Sequence, residues 1–385
     1  TRSKPWKNST VNGWKAWLNS QRMEPLLDQP IATITSQNIA DWYTVDLHKG
    51  KPSATDNAFR KLIRLCNYAI GESLLDHDPT IQMQKSERRV VTNKRTTRLD
   101  HTHGEIGRFA NALINYTPPQ DKTTNITIKH AIALALMTGR RIAEIRNMEW
   151  DWINLDQRLI TIPAEAVDGS DFEGVKNRQA FVVPMSTFVQ TLLRTRYELK
   201  DKLPEHLQHE ASQRFVFFGK SGDKPIKDFR KYLAGVVAMA GVERLIPHDF
   251  RRTFGDIARV VRPDFLTVKE ALGHSINDVT ADYLSGLTLN EKRMLFQDVS
   301  DYVSRSMPLE NLTVDGTRIP AFDGQQTLKD DNRTEVDNRA FNNHAVEVLM
   351  FDRIWREGWM DSDGLPMALE GNPYEYEEEA KGMTN

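Results

Sequence analysis

The chain has 385 residues, enough at roughly 150 per domain for two or three domains that each bury a core. A single cysteine, Cys66, excludes a disulfide scaffold and fits a reducing cytoplasmic setting, while a mean hydropathy of −0.54 and a longest apolar run of only Ala131 to Met137 exclude a membrane-spanning helix. The net charge of −2 conceals an asymmetry: Lys/Arg and Asp/Glu number 16 and 10 in residues 1–100, 25 and 23 in 101–286, and 10 and 20 in 287–385, so the acidity is C-terminal.

The N-terminus, Thr1-Arg2-Ser3-Lys4, has no apolar signal core and no initiator methionine, which predicts residues upstream. Trp6, Trp14 and Trp17 read as packing aromatics. From Ser36 to Glu72, Ile39, Trp42, Tyr43 and Val45, and then Phe59, Leu62, Ile63, Leu65, Cys66 and Ala69, recur at spacings of three and four. Two helices are predicted, parted at Lys49 to Thr55 by Gly50 and Pro52. Pro79 to Arg98 is poor in apolar residues and reads as a linker. Within it Lys85, Arg88, Arg89, Lys94, Arg95 and Arg98 face only Glu87, which makes either a phosphate-contacting strap or a solvated linker.

The next domain opens with helices predicted at Gly104 to Tyr116, at Ile128 to Met137 with a stop at Thr138-Gly139, and at Arg140 to Met148. Trp152 to Leu155 and Arg158 to Ile162, joined at Asp156-Gln157, read as a hairpin, and Ala180 to Val183 as a third strand. Helices follow at Ser186 to Leu199, Asp228 to Ala240, Asp249 to Val261, Leu266 to Leu272 and Asp278 to Leu284. His101 and His103 form a His-x-His pair with no convincing third ligand, so a linker or helix-start role is favoured over a metal, and no Gly-x-x-x-x-Gly-Lys loop exists for ATP.

Four pieces of this domain stand out in order: Thr138-Gly139-Arg140-Arg141-Ile142-Ala143-Glu144-Ile145, Lys176-Asn177-Arg178, His248-Asp249-Phe250-Arg251-Arg252-Thr253, and Leu272-Gly273-His274 with Tyr283 nine residues on. Together they resemble the motifs of the tyrosine recombinases, the phage-type integrases and site-specific recombinases, over about residues 95–286. The resemblance implies a mainly α fold with a small antiparallel β-sheet, built as a C-shaped clamp on DNA. It divides the chain into a helical core-site DNA-binding domain (1–94, with a basic linker at about 79–98), a catalytic domain (95–286) and a C-terminal extension (287–385).

By the same resemblance Tyr283 is the nucleophile, forming a 3′-phosphotyrosyl link, with Tyr302 the nearest competitor. Arg141 and Arg251 hold the phosphate oxygens, a task suited to a planar bidentate guanidinium. Arg141 is chosen over Arg140 because the family arginine stands two residues after the glycine, leaving Arg140 as a solvated helix residue. His248, three residues before Arg251, shares a helix face with it; His274 projects from a helix end terminated by Gly273. Lys176 is the general acid, with Arg178 as substitute, and Glu144 either orients Arg141 or is an ordinary surface glutamate. No cofactor or metal is implied.

The expected partners are duplex DNA, further copies of the chain in a tetramer on two sites, and, left open, accessory DNA-bending proteins. Integration and excision of a phage or other mobile element is the expected function, with dimer resolution as the sibling reading. A type IB topoisomerase-like relaxing enzyme and a non-cleaving DNA-binding protein are the alternatives from other classes. Leu289 to Val303 has the apolar spacing of a helix that docks on a neighbouring protomer. Val346, Leu349, Met350, Ile354, Trp355 and Trp359 form a second stripe among acidic residues, suited to protein rather than DNA.

Overall fold

The computed structural model describes residues 6–86, 96–116, 123–166, 172–175, 179–201, 203, 205–219, 222–274, 287–306, 313–314 and 317–318, and divides the chain into two compact units, residues 1–95 and 96–385. The first unit is helical: α1 (Asn8–Leu18), α2 (Glu24–Leu27), α3 (Ser36–His48), α4 (Pro52–Gly71) and α5 (Ile81–Gln84). Thr35 starts α3 with a reciprocal capping box on Asn38, and Pro52 occupies the first turn of α4, where a missing N–H costs nothing. The helices therefore lie closer in sequence than the Lys49 to Thr55 separator suggested.

Ile39, Trp42 and Tyr43 of α3 meet Ala58, Phe59, Leu62 and Cys66 of α4, all buried, with Tyr43 set edge-on to Phe59 at 5.4 Å. Full burial of each large apolar side chain contributes about 1.5–3 kcal/mol. Of the three N-terminal tryptophans, Trp17 is in this core, Trp14 packs against it, and Trp6 is exposed but stacked on Trp14 at 5.8 Å.

The second unit contains α6 (Glu105–Asn115), α7 (Thr123–Thr138), α8 (Ile142–Arg146), β1 (Ile153–Asn154), β2 (Leu159–Ile162), β3 (Phe181–Pro184), α9 (Thr187–Lys200), α10 (Glu210–Arg214), α11 (Arg230–Ala240), α12 (Asp249–Val261), α13 (Phe265–Ala271) and α14 (Leu289–Arg305). From Ala131 to Met137 every residue of α7 is buried, as expected of a helix that is apolar all round. It is the axis of the unit, packed by α12, α14 and α9. Arg196 of α9 fastens it: the guanidinium donates to the Val216 carbonyl and, at 2.9 Å, meets Nδ1 of buried His130. Burial and this charge hold His130 well below its ordinary pKa.

The sheet is antiparallel in the order β1-β2-β3, with Ile160 opposite both Ile153 and Val183. Ile160 and Ile162 face the core while Thr161 is exposed, the two-residue alternation of a half-buried strand. The β1–β2 turn at Asp156-Gln157 closes with Gln157 N–H donating to Asn154 Oδ1 and Arg158 in the left-handed region at φ 58°. The unit is thus mainly α with a small antiparallel sheet. Among the described residues no helix is long and apolar enough to cross a membrane.

Two expectations need correction. The helix after Gly139 begins at Ile142 rather than Arg140, because Gly139 (φ 60°) breaks α7 and Arg141 is extended. The apolar face of α14 is filled within its own unit by α12, α7, α9 and β3, so Leu295, Val299, Tyr302 and Val303 are buried in cis. Of the apolar residues from Leu289 to Val303 suggested for protomer docking, Leu289 and Met294 are exposed. The predicted helix Asp278 to Leu284 and the stripe from Val346 to Trp359 lie outside the described residues.

Candidate active site

The site is built from two turns and one helix N-terminus. In the first turn, Arg141 is the N-cap of α8, and Glu144, at the third position of that helix, accepts from the Arg141 backbone N–H (3.0 Å) and from its guanidinium Nη1 (2.9 Å). Glu144 is 2% exposed, whereas the Arg141 side chain remains 29% accessible. The carboxylate therefore orients the arginine from beneath and is not a surface glutamate.

The second turn ends α13. Asp264 caps its start by accepting from Leu266 and Thr267 N–H. At its end the Gly273 N–H bonds to Glu270 O (2.8 Å) and the His274 N–H to Lys269 O (3.0 Å), the paired pattern of a glycine-terminated helix with Gly273 at φ 66°. His274 emerges from this turn and is exposed.

The third piece is the start of α12. Buried Asp249 accepts from the Ile246 N–H and pairs with Arg252, which fixes the backbone that carries His248 at the helix N-cap. Arg251 lies one turn further on and is 3% exposed. It donates to the Gly139 carbonyl (2.9 Å) and to the Leu272 carbonyl, bridging the other two pieces. Arg140, expected in solvent, is 2% exposed and makes the adjacent bridge, from Thr138 O (3.2 Å) to Ala271 O (2.6 Å). Two consecutive carbonyls of one turn are thus joined by two guanidiniums to two consecutive carbonyls of the other.

The electrostatics follow from this clustering. Burial, then the charges of Arg140 and Arg141, pull Arg251 down to about 9, still charged at neutral pH; burial pulls Arg140 to about 10. Desolvation, then Arg251, Arg141 and Arg140, lower His274 to about 4. Desolvation and the guanidiniums of Arg252, Arg251 and Arg141 lower His248 against the opposing Asp249. Both imidazoles are neutral at pH 7, each with one N–H to donate. Three guanidiniums around the single carboxylate of Glu144 leave a surplus of positive charge suited to an oxyanion.

Tyr283 and Lys176, with Arg178, lie outside the described residues, as do Arg88, Arg89, Lys94 and Arg95. Phe172 and Val175, just before Lys176 in sequence, are core residues, with Phe172 against Trp152 at 5.2 Å. Tyr302 is 4% exposed, its hydroxyl 3.4 Å from the His101 carbonyl, and burial followed by the carboxylates of Asp100 and Asp256 raises its pKa, which disfavours the phenolate a nucleophile needs. Arg98 is half-exposed, with its Nε 3.0 Å from Asp256 of α12. Asp256 also meets His101 Nδ1 at 3.1 Å, whereas His103 pairs with Asp100, so the two histidines do not converge on one point. Among the described residues no group of three or more potential metal ligands occurs.

Residues 102–288 match the family model described as the phage integrase family. That match supports a place for this domain among the tyrosine recombinases, which its fold and the order of its motifs resemble. The chain is similar to the prophage integrase IntZ of Escherichia coli (strain K12), 25% identical over 319 residues that cover 77% of this chain and 69% of that protein. Two solved structures share the fold. A lambda integrase dimer bound to a core site superposes with a TM-score of 0.52 at 16% identity, covering 74% of this chain and 94% of the other. The Tn1549 transposon integrase in complex with circular intermediate DNA gives 0.52 at 16%, covering 76% and 94%.

Proposed function

We propose that this chain is a site-specific DNA recombinase, the integrase or excisionase of a phage or other mobile element, which cuts and rejoins duplex DNA through a covalent link to Tyr283. The observation that carries the reading is the meeting of Arg141, Arg251, His248 and His274 where two turns and the start of α12 are tied together. A phosphodiester bound there has its non-bridging oxygens held by guanidinium N–H and imidazole N–H groups fixed before the reaction, so little reorganisation is needed as charge develops.

In this reading the Tyr283 phenol passes its proton to a neutral imidazole of the site as its oxygen attacks phosphorus, the bond to the 5′ oxygen breaks, and Lys176 delivers a proton to that oxygen, leaving a 3′-phosphotyrosyl enzyme and a 5′ hydroxyl. The 5′ hydroxyl of a partner strand then attacks the phosphotyrosine and releases the tyrosine, so the bond energy is conserved and no ATP is consumed. The DNA-bound relatives, which include a lambda integrase tetramer on a Holliday junction, support duplex DNA as partner and a tetramer as the working assembly.

The test is trapping on a nicked duplex carrying the genomic junction sequence that flanks the gene for this chain, where loss of the short 5′-hydroxyl fragment prevents religation. A covalent protein–DNA adduct is expected with the wild-type chain and none with Tyr283→Phe, which keeps the ring and removes only the nucleophilic oxygen. No adduct with the wild type, or an adduct that persists in Tyr283→Phe, overturns the proposal. Transfer between two duplexes separates recombination from simple relaxation.

A further inference from the structure

Arg140 is not among the groups assigned to the phosphate above, yet it is buried and bonded to two separate turns. Its hydrogen bonds go to the carbonyls of Thr138 and Ala271, and its guanidinium carbon stands 4.5 Å from the centre of the Phe181 ring. Phe181 opens β3 and also packs on Gly273, where an added Cβ would come 3.0 Å from the ring. One side chain thus touches the turn that presents Arg141, the turn that presents His274 and the strand that follows Lys176.

Stability alone is a weak reason for such a group. A buried guanidinium loses its hydration, and an apolar side chain of similar volume often serves a core equally well or better. What an apolar residue cannot do is bond two carbonyls on separate turns and so fix their separation. We propose that Arg140 is a positioning residue, which with Phe181 against it sets the Arg141 turn, the His274 turn and β3 in the register that phosphoryl transfer needs. The inference rests on the recombinase reading and adds to it a residue outside the expected motif set.

The experiment uses the full chain with Arg140→Met, Arg140→Lys and Phe181→Leu. Two quantities are read: the single-turnover trapping rate on the nicked junction duplex at saturating protein, beside the affinity for that duplex, and the titration of His274 followed by NMR with 13C-labelled histidine, assigned by His274→Gln. Arg140→Met is expected to bind the duplex about as well as wild type and to be trapped about 10- to 100-fold more slowly, as a displacement of catalytic groups by about 1 Å would produce. Its His274 midpoint should rise, because a neighbouring cation is lost and the turn loosens. Arg140→Lys keeps the charge without the two-carbonyl bridge and should recover part of both properties, while Phe181→Leu should slow trapping with a smaller change in the titration.

A variant that melts earlier but keeps the wild-type saturated rate and His274 midpoint overturns the proposal, since Arg140 would then serve stability alone. If Arg140→Met does not fold, the other two variants decide on the same criteria. If the wild type is not trapped, the recombinase reading fails by itself; a wild-type His274 midpoint in Arg140→Lys, which keeps the charge, still overturns this inference, while a midpoint raised in that variant upholds the coupling of the two turns.

Discussion

Gly139→Ala is the sharpest test of how the site is held. Gly139 sits at φ 60°, and a methyl group there would lie 2.6 Å from Cγ, 2.7 Å from Cδ1 and 2.9 Å from Cβ of Phe254. Phe254 is fully buried, and its Cβ is fixed to the backbone of α12, so ring rotation cannot relieve the clash. The left-handed backbone costs an alanine about 1–2 kcal/mol and overpacking a further 1–3 kcal/mol, together about 2–5 kcal/mol. At roughly 2–4 °C per kcal/mol for a domain near this size, the melting temperature should fall by about 4–20 °C. Relief by moving α12 would shift Arg251, whose guanidinium donates to the carbonyl of this same glycine, so trapping on the nicked duplex should fall with it. Circular dichroism melts and trapping gels on one preparation read both effects. An alanine variant melting within about 1 °C of wild type, with unchanged trapping, would refute the reasoning.

Arg141→Lys keeps the charge but loses the planar fork and the bond to Glu144, and the trapping rate should fall by roughly 10² or more; full activity would remove Arg141 from the site. Stability should decline as pH drops from the ordinary histidine value of 6.5 toward about 4. Over that range His130 and, until near pH 4, His274 stay deprotonated in the folded chain but take up protons when it unfolds, and His248, also lowered, adds to the decline in the same direction. His130→Leu should be less stable at pH 7, because Arg196 loses a partner, yet show a flatter decline in acid urea titrations; a slope identical to wild type would contradict the burial argument. Excess chelator should leave trapping and strand transfer intact, and a loss restored by a divalent ion would force the histidines to be reread as ligands.

Much of this protein is legible along the chain. The periodicity of Phe59, Leu62 and Cys66 specifies a helix with one buried face, the apolar run from Ala131 to Met137 specifies a helix buried on all sides, and Gly139 and Gly273 mark where helices end. These are local properties: side-chain spacing and backbone freedom act within a few residues, so sequence alone determines them. The order of the arginine, histidine and tyrosine motifs is likewise a matter of sequence.

Tertiary structure decided the rest. Nothing near Arg140 foretells its burial, because the Ala271 carbonyl and the Phe181 ring that hold it come from residues 131 and 41 positions away. The pairing of Arg98 with Asp256, 158 residues away, is likewise invisible along the chain. Tyr302 is set apart from a nucleophile by the His101 carbonyl and by the desolvation of its phenol, and the stripe on α14 finds its partners within its own unit. In each case the property is an environment rather than a residue type, because desolvation, a carbonyl at hydrogen-bond distance and a neighbouring charge arise only when distant segments pack together.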